Sequence, residues 1–276
     1  MKQSITDQFN IGVATVMVGK PEDVLTLTPE ANSIGLIKNF SLTSETNEVT
    51  LTQGLRNTIV DSQVTSVTTQ ATFEVYEYTA SNLAYAAGLD GAKFSMRGEY
   101  KLGAAITGGS SATSVILKDV PSTQVLPAGT VLAIQCSNEK MYDKVYLAKV
   151  ASSEATDGDL TITLESAIPA GWDFTEGDKA FVVNPIPVGA DEPQPYFGIK
   201  IVGVLPNGNE PFTLIFPKAK ITSGLTINFT TDNYSSMPFE VTPYDLTSSD
   251  AMFDEFKKYN SNLILYKGDR RTVAGE

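Results

Sequence analysis

The chain has 276 residues, 42% of them hydrophobic and 19% charged, enough apolar material for one large or two ordinary cores. Its formal net charge of −12, from 20 basic against 32 acidic residues, argues against a surface built to grip nucleic acid. It contains no histidine and one cysteine, which excludes Ser-His-Asp and Cys-His nucleophile pairs, histidine zinc sites and an internal disulfide.

Abundant Thr, Ser, Val and Gly predict an all-β protein. No stretch approaches the roughly 20 apolar residues of a membrane span, so no membrane anchoring by this chain is expected. The N-terminal MKQSITDQFNIGVATVMVG lacks the long apolar core of a cleaved signal peptide, and synthesis in a cytoplasm is expected. Cys136, in the apolar run VLAIQCSN, reads as a small packed residue rather than a nucleophile.

In chain order, IGVATVMV (11–18) predicts a strand ending in a Gly19-Lys20-Pro21 turn, and SIGLIKNFSL (33–42) a second strand. Residues 43–70 are polar and Thr-rich, with few side chains able to anchor a core. A structureless loop of that length is unusual in a compact domain. The stretch reads as a long hairpin arm bent near Gln53-Gly54, its backbone open to pairing with another subunit; a loose surface loop is the alternative.

Residues 65–91 organise the chain. Val67, Ala71, Phe73 and Val75 alternate with Thr72, Glu74, Tyr76 and Tyr78, the pattern of a half-buried strand. At Thr79 the period changes. Residues 80–87 predict a short Ala-rich helix, capped by Thr79 or Ser81 and ended by Gly88, folded back on the sheet.

KFSMRGEYKL (93–102) predicts another strand, and the Gly- and Ser-rich 103–114 a linker. Beyond it, short strands carry a weak internal echo. SVILKDVP with LPAGTVLAI resembles LTITLESAIP with FTEGDKAFVV, each half turning at a Gly129-Thr130 or Gly177-Asp178 step. Two related β-halves forming a small barrel or sandwich would bury this pattern, with Trp172 in its core or capping its edge. The proline-rich NPIPVGADEPQP closes the segment. The predicted organisation is therefore a discontinuous host domain, 1–104 and 195–276, interrupted by an inserted β-domain, 105–194.

The host resumes with YFGIKIVGVL and PFTLIFPKAKIT around Pro206-Asn207-Gly208-Asn209, a hairpin signal. Strands are predicted at 224–230, 238–241 and 263–266, followed by a polar tail, KGDRRTVAGE. Residues 249–259 predict an amphipathic helix, with Met252, Phe253, Phe256 and Tyr259 on one face and an Asp254–Lys258 pair on the other.

The sequence contains no catalytic constellation. Glu74 and Glu77 are the best carboxylate pair, but their odd spacing on a strand sends them to opposite faces. Asp157-Gly158-Asp159 lacks the further ligands of a calcium loop and reads as a turn. Gly108-Gly109-Ser110-Ser111 lacks the lysine and helix of a phosphate loop. No catalytic, cofactor-binding or metal site is expected, and the chain is not expected to be an enzyme.

The run NFSLTSETNEVTLTQGLRNTIVDSQVTSVTTQATFEVYEYTASNLAYAAGLDG resembles the N-terminal half of the tail tube (major tail) proteins of tailed bacteriophages. An early strand, a long Thr-rich arm, and an EVYEYT strand entering a short Ala-rich helix carry the likeness. GLTINFTTDNYSSMPFEVTPYDL fits that family's closing strands, while 105–193 departs from its plain members. The resemblance implies a tail-tube-type β-sandwich or barrel with one or two short flanking helices. It also implies a structural virion protein whose hexameric rings stack into a tube for genome passage. Its partners would be further copies of itself, tape measure, tail terminator and distal tail proteins, and transiently the phage DNA. An acidic lumen would repel phosphate, with screening over about 8 Å keeping that repulsion local. The inserted domain is expected on the tube exterior, where it would obstruct a sheath, so a non-contractile tail is expected. Two other classes compete: a monomeric β-rich binding or capsid-decoration module, and a carbohydrate-active enzyme with two acids roughly 5 to 9.5 Å apart.

Overall fold

The computed structural model describes residues 13–121, 124–136, 144–156, 158–189, 191, 193–204, 211–228 and 234–268. The chain divides into two compact units, Met1–Lys93 with Pro187–Glu276, and Phe94–Ile186. It opens with β1 (Val13–Gly19), helix α1 (Pro29–Asn32), β2 (Ile37–Gln53), β3 (Thr58–Val75) and helix α2 (Ala80–Ala86). The second unit contributes β4 (Glu99–Leu102), β5 (Ile106–Thr107), β6 (Ser114–Lys118), β7 (Val131–Gln135) and β8 (Val145–Thr156). It continues with β9 (Asp159–Leu164), β10 (Asp173–Phe174) and β11 (Lys179–Val183). The chain then returns through β12 (Phe197–Val204), β13 (Pro211–Ile221), β14 (Met237–Pro243), helix α3 (Phe253–Phe256) and β15 (Ile264–Lys267). The fold class is all-β.

The first unit is one antiparallel sheet in the order β1-β12-β13-β14-β3-β2, with β15 pairing alongside β13. Its inward residues form one core: Val16 and Val18 from β1, Phe73 and Val75 from β3, Ile199 and Ile201 from β12, Leu214 and Phe216 from β13, and Phe239 from β14. Alternation produces this directly, since successive strand side chains face opposite ways. On β3, Ala71, Phe73 and Val75 are buried while Thr72 is exposed. Helix α2 lies on the same core through Tyr85 and Ala86. The Thr79 side chain accepts from the Asn82 amide at 3.2 Å, and Gly88 takes φ +80 just beyond the helix.

The second unit is a closed barrel, β11-β4-β6-β9-β8-β7. Leu102, Leu117, Leu132, Ile134, Val150, Leu160 and Ile162 fill it, and Trp172 packs against this core from a partly buried position. Two three-strand halves, β4-β6-β7 and β8-β9-β11, are interlaced: the third strand of each pairs with the first strand of the other. The strands that echo one another in sequence pair antiparallel, β6 with β9 and β7 with β11.

Several predicted elements are corrected. The compact units divide at Lys93/Phe94 and Ile186/Pro187, against the expected 104/105 and 194/195. The strand expected over 93–102 is confined to Glu99–Leu102 and belongs to the barrel, because a 3-10 turn at Gly91–Phe94 ends the preceding unit. The linker expected over 103–114 instead belongs to the second unit and packs on the barrel core. It carries β5, which pairs with β10, and buries Ile106 and Ala112. Glycine serves close packing there: a Cβ on Gly108 would lie 2.1 Å from the Pro169 carbonyl oxygen.

No strand forms over 224–228, while 229–230, the 206–209 turn and most of the polar tail lie outside the described residues. The helix predicted over 249–259 shrinks to α3 followed by a 3-10 turn at Lys257–Tyr259. Asp250 holds a turn with Thr247 on its N-terminal side, and Asn260 at φ 47 ends it. In this tighter winding Asp254 pairs with Lys257 at 2.6 Å, and not with Lys258.

Candidate assembly interface

The β2–β3 hairpin is rooted in the first unit's core and runs far beyond it. At the root, Phe40, Phe73 and Phe239 stack in sequence, with ring centroids 6.4 and 5.6 Å apart. A second anchor ties the strand-to-helix corner to the start of β2. The Asn82 side-chain amide donates to the carbonyls of Ile34 at 2.9 Å and Glu77 at 2.8 Å, and the Leu36 amide donates to the Glu77 carboxylate at 3.0 Å. Gly35 makes room for that carboxylate: its φ is +86, and an added Cβ would lie 2.1 Å from Glu77 Cδ.

Beyond Gln70 the hairpin has no core. Residues 43–68 are all exposed. Even so, this stretch contains Val49, Leu51, Leu55, Ile59, Val60, Val64 and Val67; Leu55 is 108% exposed and the rest 56–64%. Cross-strand register assigns them to faces. Val67 opposite Thr46, Val64 opposite Glu48 and Ile59 opposite Thr52 share one face; Val49 opposite Gln63 and Leu51 opposite Asp61 share the other. Two register shifts, at Asn47/Glu48 and Leu51/Thr52, leave Thr65 and Val60 without partners across the ladder. Both are extra residues on β3, and such bulges bend and twist a ribbon. The Thr65 hydroxyl closes one by donating to the Asn47 carbonyl at 3.1 Å.

The outer edges of this ribbon are open among the described residues. β14 pairs with β3 only over Val75 to Ala71, and β2 ends the sheet. A two-stranded ribbon with both faces wet is marginal alone in water. The ribbon carries apolar side chains on both faces and unpaired amides and carbonyls along both edges, the features by which an edge strand can pair with another chain. In the barrel, closure pairs each of the six ring strands on both sides.

The carboxylates weighed as an acid pair have structural partners. Glu74 accepts from the Tyr76 hydroxyl at 2.9 Å, and Glu77 caps the Leu36 amide. Asp159 starts β9 opposite Thr156, while Asp157 lies outside the described residues. Cys136 is buried, its Sγ 3.7 Å from the Asp173 carbonyl oxygen. Gly108 and Gly109 lie in the barrel against Pro169 and Ile168, not at a helix start. Among the described residues, no group of three or more His, Cys, Asp or Glu is placed to hold a metal ion.

The half-buried ion pair of the first unit is not signalled by any local sequence pattern. Lys218 and Asp250 meet at 2.9 Å, with side chains 13% and 24% exposed. Burial pushes the Asp250 carboxyl upward, but the Thr247 amide and hydroxyl and the Lys218 ammonium outweigh it and hold the group below its ordinary value. Lys218 and Lys220 each stand 4.7 Å from the Tyr196 ring, and Tyr196 meets Tyr244 edge-on at 5.4 Å.

No protein-family model matches this chain, and no curated protein matches it. Among the described residues, no helix is long and apolar enough to cross a membrane.

Proposed function

We propose that this chain is a structural subunit that assembles with copies of itself into stacked rings, forming the tail tube of a tailed bacteriophage. The observation that carries the proposal is the β2–β3 arm, with seven exposed aliphatic residues on 43–70 and both edges open. A contact of one surface with a different surface on the next copy closes into a ring when the rotation permits; a second such contact stacks rings into a filament. The arm supports the second contact by strand pairing between copies. Six copies per ring and a lumen for DNA belong to this reading through the resemblance of residues 39–91 to tail tube proteins, as do tape measure, terminator and distal tail partners. The net charge of −12 suits a conduit that DNA must traverse without sticking. The barrel is an appendage that assembly does not use, and a non-contractile tail suits it best. Negative-stain microscopy over a concentration series, with light scattering on the same samples, tests the reading: rings or hollow tubes are expected, and a monomer at every concentration would contradict it.

A further inference from the structure

We infer that the tip of the arm is itself an anchor, with Leu55 becoming buried against a second copy of this chain and Arg56 meeting a carboxylate beside it. The inference rests on the self-assembly reading and narrows it from strand pairing along the arm to a specific contact at its end.

The turn that joins β2 to β3 displays these two side chains. Gly54 at φ +80 and Asn57 at φ 48 bracket it, and the Asn57 amide donates to the Gly54 carbonyl at 3.1 Å. Leu55 and Arg56 therefore occupy the two corner positions, the outermost points of the ribbon. Turn corners favour Gly, Pro, Asn, Asp and Ser, each for its backbone or hydrogen-bonding chemistry. A leucine contributes none of that. At 108% exposure, Leu55 gains nothing from its own fold and is available whole to a partner.

Charge selects the partner. Arg56 is the only basic residue between Lys38 and Lys93, and it stands at the extremity of an arm that otherwise carries Glu45, Glu48 and Asp61. A guanidinium in that position favours a carboxylate-bearing partner and disfavours a basic one. A second copy, with 32 acidic against 20 basic residues, meets that requirement. It is also the partner for which the open edges and aliphatic faces of the same arm are built, so the tip extends a surface already directed at another copy.

The experiment uses the full chain and two variants, Leu55→Ser and Arg56→Glu. Both sites are exposed, so thermal unfolding should match the unmodified chain and serves as the folding control. Assembly is followed by light scattering and negative-stain microscopy against concentration. Leu55→Ser is expected to raise the concentration needed for assembly at least about tenfold, the loss expected from removing a buried leucine. Arg56→Glu is expected to raise it by a smaller factor that shrinks with added salt. In an otherwise unmodified chain, a benzophenone side chain in place of Leu55, itself large and apolar, should cross-link to a second copy on illumination. If the unmodified chain assembles and both variants assemble at the same concentration as it does, the tip inference is overturned while the tube reading stands. If the unmodified chain never assembles, both fall.

Discussion

Leu102 and Val150 occupy equivalent places in the two interlaced halves of the barrel. The Leu102 amide donates to the Asp178 carbonyl at 2.8 Å and its carbonyl accepts from Gly177 at 2.9 Å; Val150 does the same with Thr130 at 2.9 Å and Gly129 at 2.8 Å. Gly177 and Gly129 have φ +90 and +87, and the polar side chains that follow, Asp178 and Thr130, are both buried. The internal repeat of the sequence is thus a local two-fold in the backbone hydrogen bonds. Because the halves exchange strands, neither can bury its apolar face without the other.

This symmetry predicts matched sensitivity. Leu102→Ala and Val150→Ala, both fully buried, should each destabilise the barrel by about 2–4 kcal/mol through lost transfer energy and a cavity. Gly129→Ala and Gly177→Ala should each cost about 1–2 kcal/mol by forcing a Cβ into a left-handed conformation. Chemical denaturation of the purified variants checks both pairs. Unequal losses within a pair would mean that the two halves do not share their stability.

The barrel should be dispensable for assembly. Excising 94–186 and joining Lys93 to Pro187 through a short Gly/Ser bridge follows the boundary between the compact units. Polymers like those of the full chain are expected by microscopy. Their loss, with the remaining sheet folded by circular dichroism, would make the barrel part of the interface.

The arm should be dispensable for folding but required for assembly. Asn47 and Ser66 are register partners, so replacing 48–65 with Asn-Gly closes the ribbon as a two-residue hairpin. The product should unfold at nearly the temperature of the full chain, since the removed residues contribute no buried side chain, yet show no concentration-dependent scattering. An unfolded product would make the arm part of the sheet's own stability.

The Lys218–Asp250 pair gives a pH signature. The folded-state value of Asp250 lies below its ordinary 3.8, so its contribution is fully present above that value and is lost as pH falls through the lower folded value. Asp250→Asn should lower stability at neutral pH by about 1–2 kcal/mol and flatten the acid limb of a denaturation profile. An unchanged acid limb would assign that stability to other carboxylates.

Where local pattern and tertiary demand agree, the fold is readable from residues alone. The alternation from Ala71 to Val75, the Thr79 cap and the Gly88 stop are all local signals, and all three are present in the structure. The arm was legible for the opposite reason, because 43–70 is too polar to fill a core and too long to be a loop. Of its aliphatic residues only Val67 is singled out by pattern, as part of a half-buried strand, and it is 56% exposed; their exposure depends on where the core ends and not on their own spacing. The reading of 103–114 as a linker failed because glycine marks flexible chain and tight backbone approach alike, and only the Pro169 carbonyl beside Gly108 separates the two. The helix over 249–259 has the right face periodicity, but the Thr247–Asp250 turn and left-handed Asn260 shorten it from both ends.

Electron cryomicroscopy of the full chain, concentrated until it scatters, tests the central claim most directly. The account predicts hollow tubes of stacked rings in which an outer edge of the β2–β3 arm continues the sheet of a neighbouring copy and the aliphatic residues of 43–70 are covered. Monomers, or closed particles whose arms remain bare to solvent, would contradict it.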